Sequence, residues 1–190
     1  MGDKLYTAID YYQHLIKTDS IIVEIGSERG EGSSSYFINI ADKNKTHFYT
    51  VDIVENKIAE TEFVHKYQMS GEQFSTQILP FIGKKISILY LDNFDWMWDP
   101  NLITDYQDQI DLYKSKGYEM NNLNSSLTHL KQLIAIEPYL DEECVVICDD
   151  TYWLTNPGSY VGKCSAVVMY LLAKGWRVSH RSAVALCMLR

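Results

Sequence analysis

The stretch IIVEIGSERGEGS, residues 21–33, places a short apolar run directly before a glycine-rich loop. The β-branched run Ile21–Ile25 predicts a buried central strand. Gly26, Gly30 and Gly32 allow a sharp turn with no Cβ in the way of a close approach. The three serines that follow are compatible with the start of a helix. Strand, loop and helix start together favour a ligand site, where backbone N–H groups and the helix dipole face the ligand.

The acidic residue of this stretch and the spacing of its glycines indicate which kinds of ligand fit the loop. Glu24, two residues before the first glycine, lies near the strand end and is expected to accept a hydrogen bond from a ligand ammonium. The spacing G-x-x-x-G-x-G differs from the dinucleotide fingerprint G-x-G-x-x-G, and no Walker lysine follows it. A dehydrogenase-like nucleotide-binding domain is therefore disfavoured. The alternative to a ligand site is a tight strand-to-helix turn that binds nothing.

Length and charge set limits on the class of protein. A chain of 190 residues that is 46% hydrophobic is expected to form a single domain, residues 1–190, with a sizeable core. The formal net charge of −8 argues against nucleic acid and anionic membrane as partners, because both require clustered lysine and arginine. No apolar run approaches the roughly 20 residues of a membrane span, and Met1–Leu5 does not begin a secretory signal. A small-molecule partner is expected, and a homo-oligomer is left open.

The four cysteines have neither the C-x-x-C pairs nor the spacing of a zinc finger. Most of them lie in apolar strand or helix patterns, where a reduced buried thiol is the expected state. This pattern indicates a reducing compartment, the cytoplasm.

Beyond the glycine loop, strand patterns alternate with helix patterns. The predicted strands after the first are His47–Ile53, Phe63–Gln68, Ile86–Leu91, Cys144–Cys148, Trp176–His180 and Ala183–Leu189, the last two joined as an antiparallel hairpin by Arg181 and Ser182. The predicted helices cover residues 5–16, 36–40, 57–59, 74–82, 127–134 and 166–171. This alternation predicts an α/β fold with a doubly wound, mostly parallel sheet and right-handed crossovers.

One long segment, residues 93–126, breaks the alternation. It is aromatic, and over Asp92–Asn122 seven acidic residues stand against two lysines. A segment of this length inside a compact domain is expected to be functional or to carry helices of its own. We interpret it as a lid or substrate-binding element, with Trp96 and Trp98 lining the acceptor pocket. The alternative is an irregular packing insert or an oligomer contact.

The segment V-E-I-G-S-E-R-G-E-G-S resembles the first motif of class I S-adenosylmethionine-dependent methyltransferases. The acid that this family has at the end of the second strand is present as Asp52, in HFYTVDI, and the family's seven-stranded sheet also ends in an antiparallel strand. The resemblance implies S-adenosylmethionine as cofactor, with Asp52 on the ribose hydroxyls and Ser70-Gly71 near the adenine. The cofactor-binding residues that it implies are Glu24, Gly26, Ser27, Gly30, Gly32, Ser33, Asp52, Ile53, Ser70, Gly71 and Asp92.

Carboxylates follow the predicted second, fourth and fifth strands. Because ligands of an open sheet lie beyond the carboxyl ends of its strands, Asp52, Asp92 and the pair Asp149-Asp150 are expected to converge near the cofactor. Unpaired, they would repel one another, and at least one would take up a proton. A divalent cation would remove the conflict, and oxygen ligands suit Mg²⁺, Ca²⁺ or Mn²⁺.

The segment C-D-D-T-Y-W is similar to the D-N-T-x-W segment of metal-dependent catechol and caffeoyl-CoA O-methyltransferases. That resemblance implies Asp92, Asp149 and Asp150 as metal ligands, Mg²⁺ being the first choice, although Asp150 stands where the family has Asn. In the alternative, Asp149 or Asp150 caps the following turn and Asp92 only contacts the cofactor.

His129 is the candidate catalytic base, because its ordinary pKa suits deprotonation of a hydroxyl acceptor. Asp92 is the second residue assigned to catalysis, as a ligand of the metal. The alternative for His129 is a surface or packing role. Together these expectations describe an S-adenosylmethionine-dependent methyltransferase acting on an oxygen of a small polar molecule with metal assistance. The alternatives are a metal-binding hydroxylase-like protein or a cofactor-binding regulatory protein of the same fold.

Overall fold

The computed structural model describes residues 9–27, 30, 32–156, 158–182 and 185–190. The predicted N-terminal helix is therefore seen only from Ile9: residues 9–12 are helical and continue into a short 3₁₀ helix, Gln13–Leu15. Leu5 and Ala8, on which that prediction also depended, lie outside the described residues. No helix among the described residues is long and apolar enough to cross a membrane.

Besides the helical residues 9–12, the described chain forms nine strands and six α-helices. The strands are β1 Ser20–Ile25, β2 His47–Asp52, β3 Val64–Gln68, β4 Lys85–Leu91, β5 Leu140–Asp149, β6 Thr151–Leu154, β7 Ser159–Gly162, β8 Arg177–Arg181 and β9 Ala185–Leu189. The helices are α1 Ser33–Asn44, α2 Gly71–Gln77, α3 Leu79–Ile82, α4 Gln107–Ser115, α5 Asn122–Ile136 and α6 Ser165–Ala173, with further 3₁₀ helices at Pro100–Tyr106 and Glu137–Tyr139.

Seven of the strands form one sheet in the order β3-β2-β1-β4-β5-β9-β8. Strands β1 to β5 pair in parallel, whereas β9 is antiparallel to both β5 and β8. The predicted doubly wound α/β sheet with its C-terminal antiparallel hairpin is confirmed. Strand order reverses at β1, so β2 and β4 flank it and the carboxyl ends of all three meet at one edge.

Both faces of the sheet are covered, which is why its strands are apolar at nearly every position. In β1, the side chains of Ile21, Val23 and Ile25 pack on one face against a cluster that includes α5 and α6. Ile22 packs on the other face, together with Phe37 of α1. The central strand is therefore inaccessible to water, and only its end reaches a ligand.

The structure departs from the predicted elements in three places. Residues 57–59 form no helix, because the Asn56 side chain accepts a hydrogen bond from the Ile58 backbone and holds this segment as a turn. Helix α5 begins at Asn122, inside the segment predicted to lack a pattern, where Asn121 caps its first turn. Strands β6 and β7 form a separate hairpin that was not predicted.

Candidate functional site

A cavity of about 680 Å³ opens at the carboxyl ends of the parallel strands. Its volume falls in the range of sites that enclose a small molecule or cofactor. The residues that line it include Gly26, Ser27, Gly32, Ser33, Asp52, Ile53, Ser70, Gly71, Asp92, Asp149, Asp150 and Lys163. Nine of the eleven residues predicted to bind the cofactor are therefore brought together there, and Glu24 and Gly30 are not.

The glycine loop is positioned by the neighbouring strand ends. Gly26 has φ +96°, and its N–H donates to the Val51 carbonyl (2.8 Å). A Cβ on Gly26 would lie 2.3 Å from the Asn93 nitrogen, so the glycine is required by close packing against the chain that leaves β4. At Gly30 a Cβ would lie 2.5 Å from Ile58 Cγ1. Gly30 therefore packs closely against Ile58, and its contact with a cofactor stays a prediction.

Asp52 ends β2 at the floor of the cavity. Its carboxylate accepts hydrogen bonds from two backbone N–H groups, Ser27 N to Oδ2 (2.8 Å) and Val54 N to Oδ1 (2.9 Å). Ser27 is held from the other side, where the Asn56 amide donates to Ser27 Oγ (2.7 Å). These contacts fix the orientation of the Asp52 carboxylate, a hydrogen-bond acceptor that lines the cavity.

Glu24 does not reach the cavity, which corrects its predicted role toward a ligand ammonium. The alternation of β1 turns its side chain under α1, where it accepts hydrogen bonds from Ser33 (2.8 Å), Ser34 (2.7 Å) and Thr50 (2.8 Å). Burial raises the pKa of Glu24 to about 7, although the three hydroxyl donors act in the opposite direction. The residue ties the first turn of α1 to the sheet and so holds the helix N-terminus at the cavity.

Ser70 and Gly71 form the wall opposite the glycine loop. Ser70 caps α2 in a reciprocal arrangement with Gln73, each side chain accepting from the other residue's backbone N–H. A Cβ on Gly71 would lie 3.0 Å from both Gln132 and Ile25, so this wall also depends on a glycine. The resemblance places the adenine next to this wall.

Asp92, Asp149 and Asp150 also line the cavity, but they meet there with a cation that sequence reasoning missed. The ammonium of Lys163 lies 2.8 Å from Asp92 Oδ1 and 3.2 Å from Asp150 Oδ2. The hydroxyl of Tyr90 donates to Asp149 Oδ1 (2.8 Å). Among the residues that the structure describes, no group of three or more His, Cys, Asp and Glu side chains could hold a metal ion.

The titration of this cluster follows from burial and from the ion pairs within it. Burial raises the pKa of Asp149 well above its usual range, and the negative charge of Asp92 raises it further. Burial also raises the pKa of Asp92, against the lowering effect of Lys163. Burial works against the charge of Lys163, yet Asp92, Asp150 and Asp149 together raise its pKa well above the usual value. These shifts favour the charged form of Lys163 and the neutral form of Asp149.

His129 is not placed as a base would be. It is fully buried in α5, its Nδ1 lies 2.7 Å from the Ser125 carbonyl, and it does not line the cavity, although Thr128 and Gln132 do. Burial lowers its pKa to about 3, and the charge of Lys163 adds to the lowering. The structure therefore supports the packing role that was the alternative, because His129 shares the buried face of α5 with Leu133 and Ile136.

The segment 93–126 covers the cavity with its own small core. Phe94, Tyr113 and Met120 form a buried cluster against which Ile53 packs, and the Phe94 and Tyr113 rings stack with centroids 4.4 Å apart. The cavity is lined from this segment by Asn93, Phe94, Asp95, Gln109, Leu112, Tyr113 and Tyr118. Residues of this segment therefore line the cavity and pack against one another. That the segment acts as a lid stays a prediction.

Trp96 and Trp98, predicted to line the acceptor pocket, are not among the cavity residues. Trp98 instead stacks on Tyr152 of β6, with centroids 5.4 Å apart, and remains 46% exposed. Trp96 lies beside Trp98, with centroids 6.0 Å apart. The two indoles join the covering segment to the β6–β7 hairpin and leave the pocket to Phe94, Tyr113 and Tyr118.

Comparisons with known proteins identify the fold. No family model matches the chain, and no curated protein matches its sequence. Among solved structures, a putative ribosomal RNA methyltransferase from Plasmodium falciparum is similar with a TM-score of 0.55 and 14% identity, over 98% of this chain and 92% of that one.

A second similar structure is the MycE methyltransferase from the mycinamycin biosynthetic pathway, in complex with Mg and SAH. Its TM-score is 0.59 and its identity 11%, over 97% of this chain and 48% of that one, so this chain spans about half of MycE. A further MycE complex, with Mg, SAH and mycinamycin VI, matches to the same extent at 10% identity. This chain therefore has the fold of these methyltransferases, with its cavity at the carboxyl ends of the strands.

Proposed function

We propose that this chain is an S-adenosylmethionine-dependent methyltransferase that acts on an oxygen of a small polar molecule. The observation that carries the proposal is the convergence, in one cavity of about 680 Å³, of the glycine loop, the Asp52 carboxylate and the Ser70-Gly71 wall. A neighbouring fold that binds SAH supports the choice of cofactor. The N-terminus of α1, at Gly32 and Ser33, would face the carboxylate of the methionine part, as helix N-termini do toward anions.

S-adenosylmethionine supplies an already activated methyl group, so the contribution of the protein is mainly to align the acceptor oxygen with it. Asp52 would hold the ribose, and the packed segment above the cavity would exclude water from the transfer. Asp92, Asp149 and Lys163 line the same cavity and offer hydrogen-bonding groups to a hydroxyl acceptor. The products would be the methyl ether, S-adenosylhomocysteine and the proton that the hydroxyl loses.

A small acceptor is favoured over RNA, although one similar fold belongs to a ribosomal RNA methyltransferase. The net charge of −8 would repel a phosphate backbone, and the covering segment places one of its acids, Asp95, at the cavity. Four free, buried cysteines support a cytoplasmic location as part of the same proposal. The predicted Mg²⁺ is not part of the proposal, because Lys163 already pairs with Asp92 and Asp150.

Calorimetry with S-adenosylhomocysteine tests the first half of the proposal, and mass spectrometry of methylated products from a panel of hydroxyl-bearing acceptors tests the second. Saturable binding together with a mass gain of one methyl group would support a methyltransferase. Binding without product across the panel would favour the cofactor-binding regulatory protein. No binding of the cofactor at all would exclude both.

A further inference from the structure

Lys163 lies between the carboxylates that the sequence resemblance assigns to a metal. Its ammonium is 2.8 Å from Asp92 Oδ1 and 3.2 Å from Asp150 Oδ2, and the residue is 5% exposed. The remaining carboxyl of the set, Asp149, is 1% exposed and is bound by the Tyr90 hydroxyl (2.8 Å). Each of the three presumed ligands is therefore already engaged by a donor of this chain.

We propose that Lys163 is the built-in cation of this site and takes the place of a divalent metal. A divalent ion bound to Asp92 and Asp150 at coordination distance would lie within a few ångströms of the ammonium. At that separation two positive charges repel strongly, and all the more so in a buried site where water screens them poorly. The metal and Lys163 therefore exclude each other, and the folded chain already contains Lys163.

The fold fixes Lys163 at this position through the β6–β7 hairpin. Thr151 pairs with Gly162, and the Lys163 N–H donates to the Asp150 carbonyl (3.2 Å). On the far side of Lys163, the Cys164 N–H donates to Thr151 Oγ1 (2.9 Å). The backbone on both sides of the lysine is thus bound to the segment that carries Asp150, so the Cα of Lys163 cannot move away from Asp150 without opening the hairpin.

Close packing at the base of the hairpin also holds residue 150 next to residue 163. Gly162 has φ +105°, and a Cβ there would lie 1.8 Å from the Asp150 carbonyl oxygen. Asp150 itself has φ +43°, a conformation that non-glycine residues seldom adopt. This uncommon backbone conformation at Asp150 accompanies the close approach of residues 150 and 163.

The ammonium also has a donor to offer to a ligand. It carries three N–H groups, of which the two carboxylates take up two, and Lys163 lines the cavity. The third can donate to an oxygen of a bound molecule, which is the orienting role that a metal would otherwise have. This inference concerns only the cation, and it does not depend on whether the protein transfers methyl groups.

The first test is a titration of the wild-type protein with Mn²⁺, followed by the loss of the electron paramagnetic resonance signal of free Mn²⁺ and by calorimetry. We expect no saturable site at millimolar Mn²⁺, because the ammonium occupies the space between the carboxylates. A one-to-one site that is lost in both Asp92→Asn and Asp150→Asn would overturn the proposal.

The second test compares two substitutions of the lysine. Lys163→Ala removes the charge and opens space for an ion with its waters, whereas Lys163→Met removes the charge and keeps the chain volume. We expect Lys163→Ala to gain a Mn²⁺ site at least about tenfold tighter than any in the wild type, with a melting temperature that rises on adding Mn²⁺. Lys163→Met should gain neither.

A folded Lys163→Ala protein that binds Mn²⁺ no better than the wild type would overturn the proposal. Should Lys163→Ala fail to fold, Lys163→Ser provides the same comparison, because it also removes the charge and opens space, and the wild-type titration decides by itself. Neither measurement involves the methyl acceptor, so failure here leaves the calorimetric test of S-adenosylhomocysteine binding untouched.

Discussion

The two ends of the cavity are built from contacts of very different range along the chain. At the proposed cofactor end, the Ser27 N–H and the Asp52 carboxylate meet across adjacent strands, 25 residues apart. At the other end, Asp92 and Lys163 meet from positions 71 residues apart. The contact between Ser27 and Asp52 lies within one strand–helix–strand unit. The contacts of Lys163 with Asp92 and Asp150 join residues that follow β4 and β5 to the end of the β6–β7 hairpin. Consequently, local sequence pattern describes the first end, and only tertiary structure reveals the second.

The largest effect should come from the glycine that joins the two ends. Gly26→Ala would place a Cβ 2.3 Å from the Asn93 nitrogen at φ +96°, so we expect the free energy of unfolding to fall by about 4 kcal/mol. Gly83→Ala is the matched control, because φ is +69° there but a Cβ meets nothing within 4 Å. It should cost only about 1 kcal/mol of backbone strain. Urea denaturation of both variants measures the difference, and equal losses would refute the close-packing argument.

The second experiment concerns Glu24, a buried acid under α1 that does not reach the cavity, in contrast to Asp92 and Asp150, which pair with Lys163. The described hydrogen-bond donors to Glu24 are the three hydroxyls of Ser33, Ser34 and Thr50, and its pKa is raised to about 7, chiefly by burial. Since the unfolded state ionises at lower pH, the stabilising contribution of Glu24 is complete below its ordinary pKa and is lost as pH rises through about 7. The loss should be about 3 kcal/mol.

Unfolding by urea at about pH 4 and about pH 8, for wild type and Glu24→Gln, isolates this contribution. The wild type should lose stability relative to the variant as pH rises. If the difference between the two proteins is the same at both pH values, Glu24 titrates normally and its buried environment has been misjudged.

The third experiment tests the cofactor end directly. Asp52→Ala removes the carboxylate that would hold the ribose and leaves the Ser27 and Val54 N–H groups without their acceptor. We expect affinity for S-adenosylhomocysteine to fall by about 1.5–3 kcal/mol, as for loss of a hydrogen bond to a charged group. Asp105→Ala, an exposed acid of the covering segment that does not line the cavity, is the control. Unchanged calorimetric affinity in Asp52→Ala would contradict the proposal that the cofactor binds at Asp52.

The smallest effect concerns the covering segment. Tyr113→Phe removes the hydroxyl that accepts from the Asp95 N–H (2.9 Å) but keeps the ring stacked on Phe94. Hydrogen exchange in α4 should then report a local stability lower by about 1 kcal/mol. Trp98→Ala, outside the cavity, should leave exchange in α4 unchanged. Bound S-adenosylhomocysteine should slow exchange there in the wild type, and equal rates with and without it would argue against a lid.

Much of the fold could be predicted from sequence because its signals are local. The apolar run Ile21–Ile25, the glycines after it and the acid at Asp52 all lie within one strand–helix–strand unit. The convergence of carboxylates at strand ends also follows from parallel topology. What could not be predicted was the neutralising partner, because Lys163 reaches Asp150 only through the unpredicted hairpin. The signal that could have found it was chemical: three converging acids require a cation, and a lysine follows the glycine at 162.

The remaining errors came from side-chain direction. Glu24 was expected at the ligand, but the alternation of β1 turns it under α1. His129 was expected at the cavity, but it lies on the face of α5 that carries Leu133 and Ile136 and packs into the core. Trp96 and Trp98 were chosen for their size, yet their neighbour is Tyr152 of the hairpin. In each case the residue type was informative about chemistry and uninformative about orientation.

The β6–β7 hairpin has a practical consequence for working with this protein. Its base is fixed by Gly162 and Lys163, whereas Thr155 and Asn156 at its tip are exposed. A loop tip of this kind tolerates insertion. A fluorophore or peptide tag placed there would move with the strand pair that positions the ammonium. It would therefore report on opening of the acceptor side of the cavity while the sheet and the glycine loop stay unmodified.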